Sequence, residues 1–186
     1  MRALRQFSLL LVLLLAGCAI SPRTDYLPAA QQEPYTLDTG DVVRVSVYGE
    51  PELTNSYRVD DGGALSLPLV GNVAVRGRTT QSTALAVTSA LKAGFIRDPS
   101  VAVEIEAYRP FYIQGGVISG GQYPYVYGMT LRAAISTAGG FSDLTAPKHA
   151  TLYRRVGDKT VEAVVTMDFL IRPGDSIVVP GRRPMS

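Results

Sequence analysis

His149 is the sole histidine of the 186 residues and Cys18 the sole cysteine. A histidine-based metal cluster or a Ser-His-Asp triad therefore lacks its material. Ser119 has no glycine two positions before it, as a nucleophile elbow requires. Asp60-Asp61 are paired carboxylates, but directly before Gly62-Gly63 they read as turn formers, and the remaining oxygen ligands of a calcium loop do not follow. Gly115-Gly116 and Gly120-Gly121 do not have the spacing of dinucleotide or phosphate loops. The residues thus point to no enzyme, no cofactor and no metal. Tyrosines are the chemistry that remains. Tyr108, Tyr112, Tyr123, Tyr125 and Tyr127 gather in one stretch, and a ring carrying a hydroxyl suits both sugar contact and protein interfaces. Tyr112, Tyr123, Tyr125 and Tyr127 are the candidates for that role; the competing reading is that alternate tyrosines of a strand are partly buried structure. Arg154-Arg155 and Arg182-Arg183 could meet an acidic polymer or protein, but short basic pairs read first as solvated surface.

Composition frames these candidates. Hydrophobic residues make up 46% and charged residues 18% of the chain, which predicts packed globular structure rather than disorder. The formal charge is +2, but Arg2 and Arg5 fall in the first 17 positions, which hold no acid; without that segment 16 basic residues face 16 acidic ones. A balanced chain has no global attraction for nucleic acid or an anionic membrane surface.

Arg2 and Arg5 precede an apolar run over residues 7–15, too short to span a bilayer and of signal-peptide length. Leu15-Ala16-Gly17-Cys18 resembles the bacterial lipobox, so residues 1–17 are expected to be a lipoprotein signal peptide and Cys18 the acylated, palmitate-bearing first residue of the mature chain. By the same resemblance, Ala19 after the cysteine favours the outer membrane. Residues 18–34 carry Pro22, Pro28 and Pro34 without apolar periodicity and read as a tether.

Beyond the tether, Gly40-Asp41 turns the chain into a strand where Val43, Val45 and Val47 share a face. Asp60 to Gly63 supplies a hairpin turn placing Val59 and Leu65 on facing strands. Leu65, Leu67 and Leu69 alternate with Ala64, Ser66 and Pro68, Gly71-Asn72 reverses the chain, and Gly77 to Thr80 ends the next strand and offers a hydroxyl cap to a helix. That helix carries Ala84, Val87 and Leu91 as its stripe, broadened by Leu85. Asp98-Pro99 starts a strand over residues 101–108. A second unit opens at Phe111, interrupted by Gly115-Gly116, which suggest a bulge or a close backbone approach. A short helix with Leu131, Ala134, Ile135 and Ala138 inward ends at Gly139-Gly140. Strands over residues 150–156, 161–167 and 177–179 complete the chain. The fold class expected is α+β, in two small mixed units. One echo stands out. Gly40-Asp41 and Gly174-Asp175 each follow an apolar residue three positions before the glycine and precede alternating β-branched residues, as if one turn were used twice.

The lipobox, Thr39-Gly40-Asp41 with its valine strand, Tyr57 to Asp60 continuing through Leu67-Pro68-Leu69-Val70-Gly71, Gly77 to Thr80, and Asp98-Pro99-Ser100-Val101 together resemble the bacterial outer-membrane polysaccharide export lipoproteins. The likeness divides the chain into a polysaccharide export domain over residues 35–108 and a soluble-ligand-binding β-grasp domain with a terminal strand over 109–186, with Gly115, Gly139 and Gly140 as structural motif positions of the latter; Gly174 and Asp175 are motif positions of the repeated turn. The second domain departs from the family in carrying Gly116 and Gly120-Gly121 where an acidic residue and a Pro-Gly turn are common. The chain resembles short members without the C-terminal transmembrane helix.

The resemblance implies a non-enzymatic, periplasmic, outer-membrane-anchored component of an exopolysaccharide or capsule translocon. It would be a homo-oligomeric ring around the exported polysaccharide, between an inner-membrane polysaccharide co-polymerase and a separate outer-membrane pore protein. The alternative reading is a saccharide-binding or sensory lipoprotein that does not conduct polymer.

Overall fold

A computed structural model describes residues 34–143, 147–157 and 159–181. The expected signal peptide, Cys18, the expected tether through residue 33 and Arg182-Arg183 lie outside the described residues. The fold is α+β, built from small mixed units.

In the first unit β1 (Val42–Val47) is central, flanked antiparallel by β2 (Asn55–Arg58) and β5 (Val101–Ala107). The period-two valines of β1 are why it sits in the middle: Val43, Val45 and Val47 are all buried. β3 (Ala64–Leu67) and β4 (Gly71–Ala74) form a separate two-stranded ribbon. The expected hairpin across Asp60 to Gly63 is therefore corrected. The turn is present, with Asp60 N–H donating to the Ala64 carbonyl at 2.9 Å, but it carries the chain from one sheet to the next, because β2 pairs with β1 rather than β3.

The following reversal also moves. Leu67 pairs with Gly71, so Pro68-Leu69-Val70 is the loop and Gly71 already lies in β4. Pro68 has no N–H for the ladder, which ends the strand there. Leu69 is consequently a turn residue, 62% exposed, at a φ of 69°.

Helix α1 (Thr80–Lys92) begins where expected, with the Thr79 Oγ1 accepting the Ser82 N–H at 3.2 Å. Its buried line is Thr83, Val87 and Leu91, while Leu85 is 66% exposed. Steps of four residues keep one face toward the sheet, whereas two residues from Val87 is more than half a turn away, so Leu85 does not broaden the stripe.

The second unit orders its strands β7-β6-β10-β8-β9, with β6 Phe111–Gly115, β7 Gly121–Tyr123, β8 His149–Val156, β9 Lys159–Thr166 and β10 Ser176–Val179. β10 runs parallel to β6 and antiparallel to β8, inserted between the two hairpins. With α2 (Leu131–Thr137) between those hairpins in sequence, this is the strand order of a β-grasp. Leu131, Ala134, Ile135 and Ala138 are all buried against Phe111, Ile113, Leu152 and Ile177, each large side chain contributing roughly 1.5–3 kcal/mol by leaving water.

The buried residues separate into two clusters, one from Leu37 to Val103 and one from Phe111 to Val179. Only Tyr108, Arg109 and Pro110 connect β5 to β6. No helix among the described residues is long and apolar enough to cross a membrane.

Candidate functional site at the junction and on the outer sheet face

The repeated Gly-Asp turn organises the junction. Gly40 and Gly174 take φ values of 93° and 83°, a region that L side chains avoid. Each following aspartate is buried and closes its own turn: Asp41 Oδ2 accepts the Asp38 N–H at 2.9 Å, and Asp175 Oδ2 accepts the Arg172 N–H at 2.7 Å. Each also holds an arginine. Arg154 reaches Asp175 with Nε at 2.9 Å and NH2 at 2.7 Å, a two-pronged pair that is buried on both sides, and its guanidinium lies 5.4 Å from the Phe169 ring centre. Arg154 is therefore a core residue rather than half of a solvated pair.

Arg109 serves Asp41. Its backbone N–H donates to Asp41 Oδ1 at 2.8 Å, its NH1 to Oδ2 at 3.2 Å, and NH1 also to the Tyr35 hydroxyl at 2.9 Å. Tyr35 in turn donates to Asp41 Oδ2 at 2.6 Å; burial first, and then this bond to a carboxylate, raise its pKa. On the far side of the connector, the Gly174 N–H donates to the Pro110 carbonyl at 2.9 Å and the Tyr112 N–H to the Asp175 carbonyl at 2.9 Å. The three-residue connector is thus held by one Gly-Asp turn at its first end and by the other at its second. A Cβ on Gly174 would stand 2.8 Å from the Arg109 Nε. Edge-to-face contacts run alongside, Tyr35 to Tyr108 at 4.9 Å and Tyr108 to Tyr125 at 5.3 Å.

Asp38 gathers the outer charges. Arg76 Nε lies 3.2 Å, Arg155 NH2 3.3 Å and Arg109 NH2 3.6 Å from its oxygens. Partial burial alone would raise its pKa, but the Thr39 N–H and the Arg109 and Arg155 guanidiniums prevail and hold it below the usual carboxylate value.

The tyrosines divide. Pro124 follows directly after β7, so Tyr125 and Tyr127 lie beyond the strand rather than alternating within it. Tyr125 is 9% exposed and belongs to the second core, and its burial raises its pKa. Tyr123 stacks on Phe111 at 6.0 Å and gives its hydroxyl to the Ser119 carbonyl at 2.6 Å. Tyr127 and Tyr112 are the exposed ones, at 62% and 46%. Tyr112 stands on the outer face of β6, opposite the face that α2 covers, beside Gln122 on one neighbouring strand and Ser176 on the other. With Ile113, Gln114, Gly120, Gly121 and Ile177 these residues line an open groove of about 540 Å³ that presents two amides, two hydroxyls, one ring and apolar surface, and no charged side chain. Such a lining can stack on and hydrogen-bond an uncharged polar ligand.

The remaining motif residues are structural in position. Asp60 Oδ1 accepts the Ala64 N–H at 2.8 Å. Gly62 flanks that turn, but the left-handed residue there is Gly63, at a φ of 82°, where a Cβ would come within 2.6 Å of the Arg76 Cβ. Pro68 and Gly71 bound the β3–β4 loop, and the Gly77 N–H donates to the Leu37 carbonyl at 2.8 Å. Asp98 and the buried Pro99 precede β5, and Gly139-Gly140 follow α2. At Gly115 a Cβ would stand 2.2 Å from the Val179 carbonyl oxygen, a close approach of two backbones. Sequence reasoning passed over Tyr35, Asp38, Arg76 and Arg109. The echo of two buried-aspartate turns was the available signal, since each such carboxylate requires a cation or donors. Among the described residues, no group of three or more His, Cys, Asp or Glu side chains is placed to hold a metal.

Residues 29–106 match the family model described as "Polysaccharide biosynthesis/export protein". Relatives include the exopolysaccharide production protein ExoF of Rhizobium meliloti (strain 1021), 34% identical over 123 residues covering 60% of this chain and 29% of that protein. The EPS I polysaccharide export outer membrane protein EpsA of Ralstonia solanacearum is 28% identical, covering 82% of this chain and 49% of that protein. The polysialic acid transport protein KpsD of Escherichia coli is 27% identical, covering 80% and 28%. The chain spans less than half the length of each of these relatives.

Proposed function

We propose that this protein is a non-catalytic component of an exopolysaccharide export machine, held at the periplasmic face of the outer membrane through acylated Cys18. In this reading it forms a homo-oligomeric ring around the polymer path, with an inner-membrane co-polymerase on one side and a separate outer-membrane pore protein on the other. The observation that carries the reading is the family match over residues 29–106, joined by relatives whose names state polysaccharide export or transport. Deletion of the gene is expected to abolish secretion of the polymer while leaving its synthesis intact, and Cys18→Ser is expected to release the protein from the membrane fraction. Electron microscopy of the detergent-extracted protein should show rings. Monomeric particles together with undiminished secretion in the deletion strain would overturn the proposal.

The groove beside Tyr112 favours a second reading, in which the protein binds saccharide without conducting it. An aromatic ring flanked by two glutamines and a serine is a lining suited to sugar. Saturable binding of neutral oligosaccharides by a monomer, with normal secretion in the deletion strain, would select it over the first.

A further inference from the structure

The junction contains two ionic contacts of opposite character. Asp41 with Arg109 is the inner one: the carboxylate is fully buried, and Tyr35 and two backbone N–H groups complete its bonds. Asp38 with Arg155 is the outer one: the arginine side chain is 65% exposed and the aspartate 23%. Their chain positions differ in a way that matters. Arg109 sits in the connector, adjacent to both Gly-Asp turns, whereas Arg155 lies near the end of β8, 117 residues from Asp38. Among the described residues, Arg155 with Asp38 is the one ion pair joining a strand of the second unit to the first.

We infer that the junction is a pivot with a breakable lock: the Asp41–Arg109 cluster fixes the connector, and the Asp38–Arg155 pair sets the angle between the two units and can open while the pivot stays closed. The physical reason is the difference in solvent access. A buried carboxylate that loses its cation has no water to replace it, so the inner contact survives salt. An exposed pair is screened, and water readily solvates its separated members. Opening the lock strands neither partner, because Asp38 keeps Arg76 at 3.2 Å and Arg109 at 3.6 Å, and Arg155 is already largely in water. The edge-to-face contact of Tyr108 on Tyr125 lies between pivot and second core, and rings in that arrangement can slide over one another without exposing a charge.

The inference is independent of what the protein exports and is tested on the full chain with Cys18→Ser, Lys92→Cys and Lys159→Cys, which place one spin label on each unit at exposed positions. Pulsed electron-spin distance measurements at low salt are expected to give one narrow distribution. Arg155→Glu at low salt, or 1 M NaCl with Arg155 in place, should broaden or shift it, with native circular dichroism. Arg155→Lys, which keeps the charge, should restore the narrow distribution. A distribution as narrow in Arg155→Glu as in the parent would overturn the inference. So would broadening that appears only together with loss of native circular dichroism, which would make the pair a fold contact rather than a lock.

Discussion

Arg109 bonds Asp41 twice, through its backbone N–H at 2.8 Å and its guanidinium at 3.2 Å, so the residue that leaves the first sheet is tied to the residue that enters it. Since β1 and β5 are neighbouring antiparallel strands, this tie closes the first unit at the point where the second begins. The connector Tyr108-Arg109-Pro110 is therefore part of the packed structure and not a linker.

Asp41→Asn is expected to cost about 3 kcal/mol, because the Arg109 charge loses its buried partner while the amide replaces an acceptor with a donor facing N–H groups. Asp175→Asn should cost a similar amount by stranding Arg154, which is buried as well. Urea unfolding measures both. The informative pattern is which unit melts: Asp175→Asn should weaken the second first, read from hydrogen exchange in β8 and β10.

Gly115→Ala should be far more damaging than Gly71→Ala. Both glycines have positive φ, 92° and 71°, and left-handed backbone alone costs an L residue roughly 1–2 kcal/mol. At Gly71 nothing stands within 4 Å of the added methyl, but at Gly115 the Val179 carbonyl oxygen stands 2.2 Å away. Gly115→Ala must therefore push β10 off β6, and thermal melts of the two variants should separate clearly.

Thr83 is fully buried in α1, and its hydroxyl oxygen meets no hydrogen-bond partner among the described residues. Thr83→Val keeps the shape and removes the unpaired polar atom, so it is expected to stabilise the first unit by about 1 kcal/mol, opposed slightly by helix propensity. A raised urea midpoint with unchanged slope is the signature.

Acid should loosen the junction from the outside. Asp38 has a folded pKa below its unfolded value of about 4. Its stabilisation is therefore fully present above that unfolded value and lost as pH falls through the folded one. Arg76, Arg109 and Arg155 face it, while Asp41 and Tyr35 lie behind Arg109. Stability should thus be insensitive to Asp38 between pH 7 and 5 and should fall below about 4; Asp38→Asn should be less stable than the parent at pH 7 and converge with it in acid.

Much of the fold was readable because period-two and period-four patterns are local. The valines of β1 and the stripe of α2 needed no partner to be recognised, and the Gly-Asp turns announced themselves by composition. The misreadings occurred where a partner decided the outcome. Leu69 continues the leucine alternation in sequence, but strand pairing requires an N–H that Pro68 lacks, and so the loop falls there. Tyr125 and Tyr112 look alike along the chain; a core covers one and water meets the other, because Pro124 ends β7 between them and the packing of Tyr108 claims Tyr125.

The sequence by itself determined the α+β class, the two mixed units, the absence of material for a histidine-based site and the likeness to polysaccharide export proteins, since each depends on composition, local period or motif. Tertiary structure alone decided which arginines are structural. Arg154 and Arg155 are adjacent and chemically identical, yet strand alternation turns one inward to Asp175 and the other outward to Asp38, 117 residues away. That choice follows from which face of β8 is covered, and coverage is a property of the packed whole.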